Sequence, residues 1–283
     1  MNSKYYKIGE IVFELRGERE IADSELFQPF KTDLQKADEV IEIISEGPLE
    51  IKGRLTDSYS NKEIYENNGK KYLYSFYPQF ENRKIYFACS ENGDSATVLT
   101  VDYEKELYDS MLFNSIDFPG ILIRNNSFLF HCSFILADGK AILFSGDSGK
   151  GKSTQADLWR RHRNAEIING DRAILKMKDG KLYACGTPYC GSSKISVNKS
   201  AEVAAIIFLE HAKANSTEKI SASFDAVPAL LSQLTFSNSE DTVKALMFSE
   251  EIFNAVPLFK FPCVPDVTAV ETLENELKRL GIL

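Results

Sequence analysis

The sequence predicts an α/β protein in two parts, with an N-terminal, mainly antiparallel β domain over residues 1–105 and an α/β domain over residues 106–283. Two observations predict this division. Short β-rich runs with Asn-Gly turns between them fill the first part, whereas buried β runs alternate with helical stretches in the second. A chain of 283 residues is also long enough to form two domains, each with a core of its own.

The strands of the first part are predicted from imperfect alternation of apolar and polar residues. They cover residues 7–15, 49–52, 71–76, 84–88 and 97–101. Hairpin turns are predicted at Asn67-Asn68-Gly69 and at Glu91-Asn92-Gly93-Asp94. This part holds no catalytic constellation, and its tyrosines are expected in the core or on the sheet surface rather than on a ligand platform. A helical stretch from Lys105 is expected to lead into the second part.

The second part shows strands and helices in alternation, as an α/β domain requires. The predicted elements are strands over 128–136 and 141–145 with a turn at Asp138-Gly139, a helix over 153–161, a strand over 165–169, a hairpin around 178–181, a buried strand over 203–209, and helices over most of 224–254. A last helix follows Asp266, a good N-cap. Its apolar face carries Val267, Val270, Leu273, Leu277 and Leu280.

A glycine-rich loop lies between the strand over 141–145 and the helix over 153–161, with the P-loop spacing G-x-x-x-x-G-K-[ST]. The backbone amides of such a loop cradle phosphates, and the following helix presents its N-terminus to them. The motif lysine supplies charge to the terminal phosphates, and the next hydroxyl is the usual Mg²⁺ ligand. We therefore predict an ATP·Mg²⁺ site in which Lys152 lies in a surface-exposed loop. Its residues are Gly146, Asp147, Ser148, Gly149, Lys150, Gly151, Lys152, Ser153 and Thr154.

Asp171 is the second residue with predicted chemistry, because it follows a buried β run downstream of the loop. Phosphoryl transfer needs an acid that orients the metal, and often a base that accepts the proton of the attacking hydroxyl. An aspartate in an Asn-Gly-Asp turn can also be purely local, but the upstream loop favours function. We predict Asp171 and Ser153 as metal ligands. For His131, which interrupts an apolar run, chemistry leaves a functional and a buried structural role equally open.

Composition and charge exclude several classes of protein. The net charge is −8 and the pI is near 5.1, which argues against a nucleic-acid partner. The basic cluster over 160–163 fits a solvated helix C-terminus. No signal peptide is visible in the first residues, and no apolar run is as long as a membrane helix, so a cytoplasmic location without a membrane partner is expected. The five dispersed cysteines are expected to be ordinary buried thiols.

From about residue 106 to the C-terminus, the chain resembles the C-terminal domain family of HPr serine kinases, whose fold is also similar to that of ATP-dependent phosphoenolpyruvate carboxykinases. The residues that carry the resemblance are His131, the loop over 146–153, and Asp171-Arg172. His131 lies fifteen residues before Gly146, the separation at which that family has a histidine. The resemblance therefore implies a P-loop kinase domain of this type and favours a functional role for His131.

Within that family, the chain is most similar to the kinases found beside peptide-modification genes, including those that phosphorylate lasso-peptide precursors. The runs over 153–159, 168–173 and 186–193 support this similarity. It implies ATP·Mg²⁺-dependent transfer of phosphate to a serine hydroxyl of a peptide or protein, modified precursor peptides included. The catalytic residues would be Asp171, His131 and Lys152. The oligomeric state stays open, with a homo-oligomer among the states that the sequence allows.

The chain departs from the bifunctional HPr kinases at two points. Those enzymes carry two adjacent aspartates where this chain has Gly170-Asp171, and their arginine- and glutamate-containing signature is replaced here by residues 188–191. Reverse phosphorylase activity, and HPr as the substrate, are therefore not expected. Two alternatives stay open: a kinase of a small hydroxyl metabolite such as free serine, and a nucleotide-gated binding module that has lost transfer chemistry.

Overall fold

The computed structural model describes residues 2–59, 61–76, 84–91, 96–236 and 239–283. Strands and α-helices both contribute, so the predicted α/β class is confirmed. The chain divides into two compact units, Met1–Phe118 and Pro119–Leu283. The turn predicted at Glu91-Asn92-Gly93-Asp94 has residues 92–94 outside the described part of the chain.

The first unit is built on one eight-stranded sheet in the order β1-β2-β4-β9-β8-β7-β6-β5. Its elements are β1 (Asn2–Ile8), β2 (Ile11–Gly17), β3 (Ile21–Ala22), a 3₁₀ helix (Glu25–Phe30), β4 (Glu39–Ser45), β5 (Arg54–Tyr59), β6 (Lys62–Asn67), β7 (Lys70–Phe76), β8 (Ile85–Glu91), β9 (Ala96–Val101), β10 (Leu107–Tyr108) and α1 (Asp109–Asn114). The pairings β2–β4 and β4–β9 are parallel and the other five are antiparallel. The sheet is therefore mainly antiparallel.

Two strand predictions in this unit are wrong. Residues 7–15 were predicted as one strand, but Gly9 and Glu10 have φ values of 59° and 69° and turn the chain into the β1–β2 hairpin. Residues 49–52 form no strand: Leu49 packs against an apolar cluster of the sheet, but Ile51 is exposed, so the run is not buried as a strand would be. The central strand β4 was missed because its acidic residues hide the alternation that buries Ile41 and Ile43.

Helix α1 packs on the first unit through one aromatic residue. The ring of Phe113 lies 5.3 Å from that of Tyr6, 5.5 Å from that of Phe13 and 5.0 Å from that of Phe27. The Tyr6 hydroxyl also donates a hydrogen bond to Asp109 Oδ2 at 2.9 Å. These contacts tie α1 to the first unit, whereas the predicted domain boundary falls before it, after residue 105. That boundary stays a prediction.

The second unit contains a nine-stranded sheet with helices on both faces. Its elements are α2 (Phe118–Arg124), β11 (Ser127–Ala137), β12 (Lys140–Ser145), α3 (Lys152–Arg163), β13 (Glu166–Asn169), β14 (Arg172–Lys178), β15 (Lys181–Cys185), a 3₁₀ helix (Gly191–Ser193), β16 (Ser200–His211), β17 (Glu218–Lys219), α4 (Ser223–Leu231), β18 (Leu234–Thr235), α5 (Ser239–Ala255), β19 (Leu258–Cys263) and α6 (Val267–Arg279). Five strands close a ring, because β12 pairs with β11 on one side and with β16 on the other.

Two apolar cores flank this sheet. One contains residues of α4 and α5, and the other contains residues of α3 and α6. In the second core, Trp159 of α3 is fully buried, and its ring lies 6.3 Å from that of Phe144 on β12. The strands and helices predicted for this unit are confirmed, including the Asp266 cap, whose carboxylate accepts a hydrogen bond from the Thr268 amide. The prediction missed α2, β17, β18 and β19.

All five cysteines are buried, as predicted, and none forms a disulfide bond. Within the described ranges, no helix has both the length and the apolar character needed to cross a membrane.

Candidate functional site

The glycine loop, residues 146–151, joins the end of β12 to the start of α3. Gly149 and Gly151 have φ values of 85° and 94°, which residues with a side chain rarely adopt. Gly151 is the N-cap of α3, and its carbonyl accepts a hydrogen bond from the Gln155 amide at 2.9 Å. Glycine has no side chain to cap the helix, so the first amides of α3 are left for another acceptor such as an anion.

Lys152 is the first residue of α3, and its ammonium group folds back onto the loop. Its Nζ donates hydrogen bonds to the carbonyls of Gly146 at 2.8 Å and Asp147 at 3.1 Å. The side chain is 8% exposed, so the expectation of a surface-exposed lysine is wrong. Burial lowers the pKa of Lys152, and the negative charge of Asp171 opposes that shift. Lys152 and Asp171 therefore lie close enough to interact electrostatically.

Asp171 is flanked by two basic side chains. Its Oδ1 lies 3.6 Å from Nε2 of His131, and its Oδ2 accepts a hydrogen bond from Nε of Arg172 at 3.2 Å. His131 lowers the pKa of Asp171 most, and Arg172 lowers it further, against an opposing effect of burial. Asp171 is therefore an ionised carboxylate at neutral pH, about one third exposed, with an imidazole on one side and a guanidinium on the other.

Strand register explains how residues distant in sequence meet here. β11 lies between β12 and β14, so Cys132 pairs with Ser145 on one side and His131 pairs with Arg172 on the other. The Cys132 amide donates to the Asp171 carbonyl at 3.0 Å, and the Ser145 hydroxyl donates to the His131 carbonyl at 2.8 Å. The start of the glycine loop and Asp171 are thus placed on opposite sides of one strand, at adjacent positions.

The remaining predicted site residues lie at the surface of the loop and helix. Lys150 and Gly146 are half-buried, and the exposed ones are Asp147, Ser148, Gly149, Ser153 and Thr154. Nowhere in the described ranges do three or more His, Cys, Asp or Glu side chains form a group that could hold a metal ion. A Mg²⁺ ion here would therefore need oxygen ligands from a bound phosphate in addition to Ser153 and Asp171.

Sequence reasoning missed two residues that support this site. His211, at the end of β16, has its Nε2 3.1 Å from the Gly149 carbonyl. Asn169 lies fully buried beneath Asp171, and its side chain contacts both the Asp171 amide and residues 187–189. The Asn-Gly-Asp turn was the signal for Asn169, but its long-range partners could not be read from the sequence.

Two glycines determine which side chains can surround Asp171. A Cβ atom at Gly191, whose φ is 56°, would lie 2.8 Å from Cγ of Asp171, so the backbone of residue 191 directly abuts the carboxyl group. A Cβ atom at Gly170 would overlap Cβ and Oγ of Ser193. The position next to Asp171 therefore has no room for a second carboxylate.

The fold and the site define a mixed α/β protein with a strand, a glycine loop and a helix that face a His–Asp–Arg cluster. No protein-family model matches the chain, and no curated protein matches its sequence. Among solved structures, the HPr(Ser) kinase/phosphatase from Coxiella burnetii is similar over 54% of this chain and 94% of its own, at 17% identity and a TM-score of 0.30.

Proposed function

We propose that the chain is a P-loop serine kinase that uses ATP·Mg²⁺ to phosphorylate a serine hydroxyl of a peptide or protein. The observation that carries the proposal is the placement of two groups on either side of β11. The glycine loop with Lys152 follows β12 on one side, and the ionised Asp171 precedes β14 on the other, with His131 of β11 beside it. A cation for the transferred phosphate and a carboxylate for the acceptor are the two charges that phosphoryl transfer requires.

The glycine loop fits a nucleotide phosphate. Nothing lies within 4 Å of a Cβ atom placed at Gly149 or Gly151, so the backbone is open where a phosphate would approach. The first amides of α3 and the Lys152 ammonium would bind the phosphate oxygens. The exposed Ser153 hydroxyl and the Asp171 carboxylate would hold Mg²⁺, which neutralises phosphate charge when it is bound.

The roles of the chain's own residues follow from their charges. Lys152 exchanges the carbonyls of Gly146 and Asp147 for phosphate oxygens, because a charge-assisted bond to an anion is stronger than one to a carbonyl. Asp171 accepts a hydrogen bond, and then the proton, from the acceptor hydroxyl. His131 and Arg172 keep that carboxylate ionised and fix its direction.

One observation favours a second candidate, a nucleotide-gated binding module without transfer activity. Ser193 leaves no room for a side chain at Gly170, so Asp171 has no neighbouring carboxylate to share the roles of base and metal ligand. If a single carboxylate cannot serve both roles, nucleotide binding would survive and phosphoryl transfer would not.

The test is transfer of γ-labelled phosphate from ATP·Mg²⁺ to a serine-containing peptide, with free serine offered in parallel. Lys152→Met should lower the transfer rate by about 10²–10³, as loss of one preorganised charge does. The matched control is Lys178→Met, which removes an exposed lysine at the end of β14 far from Arg172 and should leave the rate nearly unchanged. Label on free serine alone would support a metabolite kinase, and nucleotide binding without any transfer would support the binding module. If Lys152→Met transfers phosphate at the wild-type rate, the proposal is wrong.

A further inference from the structure

Asn169 is the last residue of β13, and its side chain is fully buried. Its Oδ1 accepts two backbone hydrogen bonds, from the amides of Asp171 and Arg172, each at 2.9 Å. This geometry turns the chain sharply after the strand and sets the direction in which residue 171 leaves it. The backbone at Asp171 is therefore held by a side chain that itself never reaches the solvent.

The other end of the same amide holds a second segment of the chain. Nδ2 of Asn169 donates to the Thr187 carbonyl at 2.8 Å and to the Tyr189 carbonyl at 3.2 Å. The segment from Thr187 to Ser193, here called the 187–193 loop, contains Gly191, whose backbone abuts the Asp171 carboxyl group. A primary amide has two donor hydrogens and two acceptor lone pairs, and all four are used here.

We propose that Asn169 is a positioning residue that fixes the Asp171 carboxylate against the 187–193 loop, and that this loop forms the wall of the acceptor site. The inference rests on the proposed function and deepens it. One side chain sets both the backbone at Asp171 and the backbone at Thr187 and Tyr189, so the base and the wall cannot shift independently.

Electrostatic contacts agree with this arrangement. The negative charge of Asp171 contributes to a raised pKa of the Cys190 thiol, for which burial is the larger cause, so this charge acts on the 187–193 loop. Ser193 is itself fixed by a hydrogen bond from its hydroxyl to the Cys190 carbonyl at 2.6 Å. An acceptor hydroxyl that approaches Asp171 would thus meet a wall whose geometry is set before the substrate arrives.

The test compares Asn169→Ala and Asn169→Asp with the wild-type protein. Asn169→Ala removes all four hydrogen bonds, and displacement of the base by about 1 Å should lower kcat for peptide phosphorylation by about 10². Asn169→Asp keeps an acceptor for the Asp171 and Arg172 amides but turns a second oxygen toward two carbonyls. It should lose activity too, because the wall is displaced. The KM for ATP should stay within about twofold of the wild-type value in both, since Lys152 and the glycine loop are untouched.

Ile252→Ala is the control for a general loss of stability. Ile252 lies in α5 and is fully buried in the apolar core that contains residues of α4 and α5. Its urea midpoint is measured beside those of the Asn169 variants, and it should keep wild-type kcat. The inference is overturned if Asn169→Asp keeps wild-type kcat, or if ATP affinity falls together with kcat in both Asn169 variants.

A second readout does not depend on activity. The chain has three histidines, so the imidazole signal of His131 can be assigned by NMR with His162→Gln and His211→Gln. The His131 ring lies 3.6 Å from Asp171, and displacement of the carboxylate should change its chemical shift in Asn169→Asp at fixed pH. An unchanged His131 signal overturns the inference. If the wild-type protein transfers no phosphate, the proposed function fails, and this measurement still decides the role of Asn169.

Discussion

Asp171 is the residue on which most of the site's geometry depends. Its carboxylate lies beside His131 and Arg172, its amide is held by Asn169, and its carbonyl accepts a hydrogen bond from the Cys132 amide. Three different strands thus determine where one carboxyl group lies. A group fixed at so many points is preorganised, and it needs little further ordering when a substrate binds.

Replacement of Asp171 by asparagine tests whether this carboxylate serves as a base, a metal ligand or both. Asp171→Asn keeps the shape but removes the charge and the proton acceptor, so kcat should fall by about 10²–10⁴. A neutral amide binds a hard cation less well, so the Mg²⁺ concentration at half-maximal rate should also rise if Asp171 is a metal ligand. Both are obtained from initial rates in a Mg²⁺ titration.

His131→Ala is the companion variant, because it removes the partner of Asp171 and leaves the carboxylate in place. It should lower transfer without a change in the Mg²⁺ requirement. If Asp171→Asn keeps nearly wild-type activity at ordinary Mg²⁺ concentrations, the kinase mechanism built on Asp171 has to be given up in favour of the nucleotide-gated module.

A second residue-scale prediction concerns the contact between Gly170 and Ser193. Gly170→Ala places a methyl group against Ser193 Cβ and Oγ, and overpacking of this kind should lower the free energy of unfolding by about 1–3 kcal/mol. Ser193→Gly in the same chain should recover most of that loss, because it removes the two atoms in conflict. Urea unfolding of the two single variants and the double variant gives the coupling. Additive effects would show that the two positions do not meet.

The sequence was informative about the loop and uninformative about what surrounds it. The spacing of Gly146, Gly151 and Lys152 follows from local backbone requirements, so it can be recognised without tertiary structure. The burial of Lys152 could not be recognised from the sequence, because it depends on the tertiary structure around the loop. The bonds of Asn169 to the 187–193 loop likewise join positions that only the folded sheet brings together.

At the scale of elements, prediction succeeded where a local signal marked both ends of an element. The Asp138-Gly139 turn defines the β11–β12 hairpin, and Asp266 defines the start of α6. It failed where tertiary contacts decided the outcome. β19 contains Pro262 and pairs in parallel with β16, which lies about fifty residues upstream. Neither a nearby turn nor an alternation of apolar and polar residues therefore marks this strand in the sequence.

The cap of α6 offers a stability test within the second unit. Asp266 Oδ1 accepts hydrogen bonds from the amide of Thr268 at 2.9 Å and from its hydroxyl at 2.5 Å. Asp266→Ala should therefore lower the free energy of unfolding by about 0.5–2 kcal/mol. Glu271→Ala, at an exposed position of the same helix, is the matched control and should change it by less than about 0.5 kcal/mol. Equal urea midpoints for the two variants would contradict the capping role.

At the scale of the whole molecule, the two compact units differ in chemistry. In the unit Met1–Phe118, five of the pairings between strands of the eight-stranded sheet are antiparallel. Every residue of the candidate site lies in the other unit, Pro119–Leu283. A ligand that binds one unit stabilises the structure it contacts. Nucleotide binding should thus be detectable as protection confined to particular segments.

Hydrogen exchange measured by mass spectrometry, with and without ATP·Mg²⁺, tests this. Peptides that cover the glycine loop and the first turns of α3 should exchange more slowly with nucleotide, and those from β1 to β9 should not change. At a nucleotide concentration 100 times the dissociation constant, the stabilisation should reach about 2.7 kcal/mol. ADP with Mg²⁺ is the control for binding without transfer. Protection found in the first unit alone would place the nucleotide elsewhere and refute the assignment of the glycine loop.

The position of Trp159 gives the protein a built-in optical probe. It is the single tryptophan of the chain, and it lies on the helix that begins at Lys152, fully buried and near Phe144. Among the described residues, its indole Nε1 has no hydrogen-bond partner, so the emission of the folded chain should be blue-shifted. Tryptophan fluorescence excited at the red edge of the absorption band therefore reports on the unit Pro119–Leu283 alone. Unfolding of that unit can be followed without any label while circular dichroism records the sum of both.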